Sequence, residues 1–190
     1  MKELIKKGIY HLIGKCMFGS LGRNSYVINP IKILNGRKIN IGDYSSIMNG
    51  ARIEAIDTFG GKIYQPSIHI GNHVDIGQNA HITAASELVI DDGTSIFPDV
   101  LITDIIHKYE DINKPPADQG IEVHTTRIGK NCQVGMGARI LPGVIIGNCC
   151  VIGANAVVTN SIPDYSVAIG VPAKVIKQYN LESNKWENKK

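Results

Sequence analysis

The sequence predicts an all-β chain wound as a left-handed parallel β-helix. Two observations carry that prediction: an aliphatic residue at every sixth position over long stretches, and a scarcity of large aromatics, with 3 Phe and 1 Trp in 190 residues. Counting in sixes from Ile128 gives Val134, Ile140, Ile146, Ile152 and Val158. The position four further on holds Cys132, Ala138, Val144, Cys150, Ala156 and Ile162, all small or apolar. Gly follows the aliphatic residue at 129, 135, 147 and 153. Upstream the frame recurs in threes: Ile41, Ile47, Ile53; Ile70, Ile76, Ile82; Ile90, Ile96, Ile102.

A period of six fits neither a helix, which needs spacing near 3.6, nor simple strand alternation. It fits a short strand and a corner, with three such units closing a triangular coil. The aliphatic residue then points inward and stacks on its equivalent in the next coil, and Gly and polar residues serve the corners. Each buried Ile contributes roughly 1.5–3 kcal/mol. A β-sandwich would instead show alternation with turns every 8–12 residues.

The frame breaks between Ile53 and Ile70, between Ile82 and Ile90, and between Ile102 and Ile128. The first break contains the loop 57–66 and the second is a two-residue insertion. The third contains a polar excursion, residues 103–127, with Pro115-Pro116. A long loop on a rigid repeat is where sites are commonly built.

The chain divides into an N-terminal helical cap (1–22), the β-helix (23–172) and a C-terminal extension (173–190). Leu4, Ile5, Ile9, Leu12, Ile13 and Met17 fall near helical spacing among Lys2, Lys6, Lys7 and Lys15. This amphipathic helix is expected to close the open end of the coil; docking on an anionic membrane surface is the second reading. After Gly170-Val171-Pro172, the run AKVIKQYNLES is expected to form a short helix, and the polar end to fray.

Twenty basic residues against seventeen acidic give a net charge of +3, with no long basic run, so nucleic acid is not expected as a partner. No apolar stretch reaches the roughly 18 residues of a membrane span, and a signal-peptide core is missing. The four cysteines show no CxxC or zinc spacing. A reducing cytoplasm is the simplest setting.

The runs ITDIIHKYEDINKPPADQG and IGKNCQVGMGARILPGVIIGNCCVIGANAVVTNSIPDYSVAIGVPAKVIK resemble the hexapeptide-repeat acyltransferases. They are most similar to the branch containing maltose and galactoside O-acetyltransferases and surface-polysaccharide acetyltransferases. The resemblance covers roughly residues 65–178 and is specific for the superfamily but weak on substrate. It implies a homotrimer, acetyl-CoA in a groove between subunits, a sugar or glycan acceptor, and His107 as general base. Many relatives in the polysaccharide branch have a second histidine two residues earlier, where this chain has Ile105, so one histidine of the motif is expected to do the chemistry. The resemblance also implies an oxyanion donor at the Met136 backbone N–H and contacts to the pantetheine arm at Ala154 and Thr159. Lys174 and Lys177 match basic positions near the CoA phosphates, and Asn79 matches an asparagine that holds acceptor hydroxyls. Asp104 and Glu110 are candidates to orient or charge-stabilise His107.

Elementary chemistry agrees with the base. Imidazole titrates near 6.5 and can take the proton of a weakly nucleophilic hydroxyl; the developing oxyanion needs a preorganised donor. Cys132 and Cys150 fall on core positions and are not expected to be nucleophiles. His124, near the return of the excursion, is the second candidate base. His69, His73 and His81 lack the spacing of a shared zinc site, so no metal is expected. Acetylation of an amine, such as that of a nucleotide-linked amino sugar, is the alternative reaction. A non-catalytic scaffold would leave the loop motif unexplained.

Overall fold

The computed structural model describes residues 2–189, apart from the side chains of 2–7 and 9. Its body is a left-handed parallel β-helix with three faces. The first face stacks Ser20–Leu21, Ile39–Ile41, Ser67–Ile70, Glu87–Ile90, Thr126–Ile128 and Ile145–Ile146. The second begins with Tyr26–Val27, Ser46–Ile47, Asp75–Ile76, Ser95–Ile96, Gln133–Val134 and Val151–Ile152. The third stacks Lys32–Leu34, Arg52–Ala55, His81–Ala84, Leu101–Thr103, Arg139–Ile140 and Val157–Val158.

The six-residue frame sets the register. Ile41, Ile70, Ile90, Ile128 and Ile146 are successive partners on the first face. Ile47, Ile76, Ile96, Val134 and Ile152 align on the second, and Ile53, Ile82, Ile102, Ile140 and Val158 on the third. All fifteen are at most 3% exposed. One further coil precedes them: Leu21, Val27 and Ile33 pair with Ile41, Ile47 and Ile53. Its spacing is also six, and its mixed residue types hide it from a search for isoleucine.

Small polar atoms knit one corner. The Ser25 hydroxyl donates to Gly42 O and accepts the Ser45 N–H, and the Ser45 hydroxyl donates to Gly71 O and accepts the Val74 N–H. Thr94 does the same with Gly129 O and the Cys132 N–H. The Cys132 thiol continues the ladder, donating to Gly147 O at 3.0 Å and accepting the Cys150 N–H. Each group satisfies a buried backbone atom that the tight corner leaves unpaired. The hydrogen bond with Cys150, together with burial, pushes the Cys132 thiol up, as befits an inert structural thiol.

The helix Lys2–Met17 lies against Ser20–Leu21 and Tyr26–Val27, and Phe18 behind it is fully buried. Gly14 faces the Leu21 side chain, and His11 Nδ1 lies 2.6 Å from Ser25 O. Leu12 and Ile13 are 69% and 52% exposed, because the helix presents its Gly14–Phe18 side to the coil. Leu4, Ile5 and Ile9, also expected on the apolar side, lie outside the described side chains.

The C-terminal extension corrects the expectation of a helix. Ala173–Asn180 is a strand, antiparallel to Ser166–Gly170, and Lys185–Asn188 adds another beyond it. The last coil offers an open edge of backbone donors and acceptors, and pairing satisfies it; β-branched Val175 and Ile176 suit a strand. The expected frayed end is held by Tyr179 and Trp186, cross-strand partners with ring centroids 5.5 Å apart.

Candidate functional site

Every break in the frame follows a strand of the third face, so all inserted segments leave the coil at one corner. After Arg52–Ala55 comes a small hairpin, Thr58–Phe59 paired with Lys62–Ile63. After His81–Ala84 comes the short insertion at Ala85 and Ser86. After Leu101–Thr103 comes the long excursion. It is a ribbon, with Ile105–His107 antiparallel to Ile121–Val123, rather than an irregular loop. Hairpin and ribbon meet: the Tyr64 hydroxyl donates to Ile121 O at 3.4 Å, and the Phe59 ring stands edge-on to His107 at 5.1 Å.

The two enclose a cavity of about 490 Å3 over the third face. Its floor holds Lys32, Arg52, Glu54, His81 and Thr83, and its walls include Phe59, Thr103, Ile105, His107 and Ile121. The size is that of a small-molecule site. His107 stands exposed on the ribbon with its imidazole free of protein hydrogen bonds among the described residues.

Asp104 is not beside that imidazole. Alternation along a strand turns Thr103, Ile105 and His107 to the cavity and Asp104 to the other side. Its buried carboxylate accepts the Ala85 N–H at 2.8 Å, the Ser86 N–H at 2.7 Å and the Ser86 hydroxyl at 2.8 Å. Burial pushes the carboxyl up, against the donors that pull it down. Asp104 thus pins the ribbon's root to the insertion below it. Glu110 accepts the Tyr109 N–H near the ribbon's tip and makes no hydrogen bond or ion pair with His107.

Glu54 and its neighbours are the part of the site that sequence reasoning missed. The Glu54 carboxylate is 3% exposed although it stands on the outer face of the sheet. Arg52 holds it in a fork through Nε and Nη2, Lys32 Nζ lies 2.7 Å from Oε1, and His81 Nε2 lies 3.4 Å from Oε2. Burial pushes this carboxyl up, but the bonds and charges of Arg52 and Lys32 outweigh that and hold it down at about 2. The available signal was Arg52 and Glu54 on either side of the core residue Ile53, with His81 next to the core residue Ile82.

The remaining candidates lie apart from the cavity. Asn79 is a left-handed corner residue (φ 56°) whose amide donates to Asp99 at 3.2 Å. It borders a smaller hollow that shares the His81 wall. Met136 and Ala154 occupy equivalent corners in successive coils; the Met136 carbonyl accepts the Asn155 N–H, and its own N–H has no acceptor among the described residues. Thr159 follows the last strand of the third face, exposed, and accepts the Asn160 amide. Lys174 and Lys177 are exposed on the C-terminal strand. His124 lies 3.7 Å from Glu122, outside the cavity. His69 meets Ser67 and His73 stacks on Tyr44, each away from His81.

Fold and site define a solenoid with a walled cavity and a free histidine, and comparison with known proteins supplies its class. Residues 125–160 match the bacterial transferase hexapeptide (six repeats) pattern. The chain is 37% identical over 173 residues to WbbJ of Escherichia coli (strain K12), covering 87% of this chain and 85% of that one; the name of WbbJ assigns it provisionally as a lipopolysaccharide biosynthesis O-acetyl transferase. It is 32% identical over 179 residues to a galactoside O-acetyltransferase of Lactococcus lactis, covering 94% of this chain and 67% of the relative. Among solved structures, AntD, an N-acyltransferase from Bacillus cereus crystallised with dTDP and 3-hydroxybutyryl-CoA, shares the fold with a TM-score of 0.72. It is 19% identical, and the match covers 90% of this chain and 89% of that one. The chain belongs to the hexapeptide-repeat acyltransferase family, in the branch of the sugar O-acetyltransferases. It is therefore an acyltransferase.

Proposed function

We propose that the enzyme moves acetyl from acetyl-CoA to a hydroxyl of a sugar, in the building of a surface polysaccharide such as O-antigen or capsule, with His107 as general base. The observation that carries this reading is the His107 imidazole, aimed over a cavity of sugar size and unclaimed by any protein hydrogen-bond partner among the described residues. The acceptor hydroxyl attacks the thioester carbonyl as His107 takes its proton. The C–S bond then breaks, and the proton passes to the departing CoA sulfur. The Met136 N–H, without an acceptor of its own, is the donor assigned to the oxyanion. Ala154, Thr159, Lys174 and Lys177 are assigned to the CoA arm and its phosphates, and Asn79 to the acceptor.

These groups do not line one cavity in a single subunit, which supports a homotrimer whose sites are completed across subunit boundaries. Light scattering on the purified chain should give three times the monomer mass, and a monomer at working concentration would contradict the shared site. Thiol release from acetyl-CoA in the presence of sugar acceptors tests the reaction, and no release with any acceptor would sink it. An amine acceptor needs the same base, and the N-acyltransferase among the structural neighbours keeps that reaction in view. Mild alkali decides: an ester product hydrolyses and an amide persists.

A further inference from the structure

Lys32, Arg52 and His81 are cross-strand neighbours on the third face. Two cations directly opposite one another on a sheet repel, and Glu54 offsets that repulsion by taking a bond from each. The offset is incomplete. One carboxylate faces two permanent cations, and its side chain is only 4% exposed while those of Lys32 and Arg52 are 48% and 45% exposed. Donor accounting reaches the same result. Of the five N–H groups of a guanidinium, Arg52 places two on Glu54, and of the three of an ammonium, Lys32 places one. Five charged donors therefore remain without a protein acceptor among the described residues, on the floor of the cavity that holds His107. A group binding there meets chiefly the two cations, held in place by a carboxylate that is almost buried beneath them.

We propose that Lys32 and Arg52 form a subsite for an anionic oxygen group of the acceptor, the carboxylate of a hexuronic acid or a sugar-linked phosphate. The inference rests on the cavity being the acceptor site. Glu54 acts as a positioning residue: it fixes the guanidinium fork and the ammonium side by side, so less side-chain freedom is lost when the anion docks. The apolar and aromatic walls at Phe59, Leu101 and Ile121 face the same space and suit the C–H face of a sugar ring.

The full chain is titrated calorimetrically with glucuronate, glucose 1-phosphate and methyl glucoside, and the same compounds are tried as acetyl acceptors. At least one anionic sugar is expected to bind about tenfold or more tightly than methyl glucoside, since hydrogen bonds between charged groups are stronger than those between neutral ones, and to lose that advantage as salt rises. Arg52→Gln and Lys32→Gln should each bring the preference to within about threefold, and Arg52→Lys should keep part of it. Thermal unfolding checks each variant, and Lys32→Gln alone decides if Arg52→Gln fails to fold. The tighter of the two anions identifies the group. Equal binding of charged and neutral sugars, no detectable binding of either anion, or a preference that survives both Gln variants would overturn the subsite. Anion-selective binding without acetylation of any acceptor would instead count against the acetyl-transfer reading and leave the subsite standing.

Discussion

The lower and upper parts of the third face share a backbone and differ in chemistry. From Arg139 to Val158 the coil runs unbroken, its corners are tight, and none of its residues lines the cavity. From Lys32 to Thr103 the same face carries a charged cluster and is overhung by the hairpin at 58–63 and the ribbon at 105–123. The inward residues are β-branched aliphatics in both parts, Ile33, Ile53, Ile82 and Ile102 below and Ile140 and Val158 above. What differs is that each strand of the lower part is followed by extra residues, and all of these emerge at one corner. A solenoid places equivalent positions of successive coils about 4.8 Å apart, so insertions far apart in sequence become neighbours. The repeat supplies the rigid floor, and its interruptions supply the walls and His107.

Substitutions in the two parts should separate accordingly. The largest effect is expected at the ribbon. His107→Ala should lower kcat/KM by about 10²–10⁴-fold, the usual contribution of a general base, or about 3–5 kcal/mol. It should leave stability within about 0.5 kcal/mol, because the side chain is exposed. Steady-state kinetics with thermal unfolding reads both, and full turnover would remove His107 as the base. In the core, Ile102→Ala should cost about 2–5 kcal/mol of stability, measured by denaturant unfolding. Ile140→Ala on the same face should cost a similar amount, since both parts rest on one core.

Asp104→Ala joins the two behaviours. It strands the Ala85 and Ser86 N–H groups beneath the ribbon and should cost about 1–3 kcal/mol. Activity should fall with it through a displaced His107, while the pH dependence of kcat keeps its shape. A changed pH profile with unchanged stability would instead make Asp104 a partner of the base.

Glu54 gives a pH signature. Its folded carboxyl is held at about 2, below its ordinary 4.5, so its stabilisation is present above pH 4.5 and is lost as pH falls toward 2. Glu54→Gln should flatten that part of the melting-temperature profile. The smallest effect belongs to the regular part. Cys132→Ser should change stability by less than about 1 kcal/mol and leave activity intact, because Ser25, Ser45 and Thr94 already fill equivalent places in the corner ladder.

Most of the coil was legible because its core is local and periodic. Fifteen aliphatic positions set six apart were assigned inward, and all are buried. The N-terminal coil escaped because Leu21, Val27 and Ile33 vary in type while keeping the period. The C-terminal strands escaped because the edge that recruits them exists only once the last coil has formed. At the site, His107 was marked by the place where the frame fails and by its motif. Asp104 was misplaced because nearness in sequence is not nearness in space on a strand, where neighbours face opposite ways. Lys32, Arg52, Glu54 and Phe59 carried no motif. Their meaning depends on which coils lie next to each other and on a hairpin leaning against a ribbon.

The sequence by itself determined the coil, its register and the corner from which the excursions leave, because each follows from a six-residue period acting between neighbouring turns of one solenoid. Only the tertiary structure decided what those excursions enclose. The contact of Phe59 with His107, the bond of Lys32 to the buried Glu54, and the anchoring of Asp104 on Ser86 join residues 48, 22 and 18 positions apart, and no local pattern records those distances.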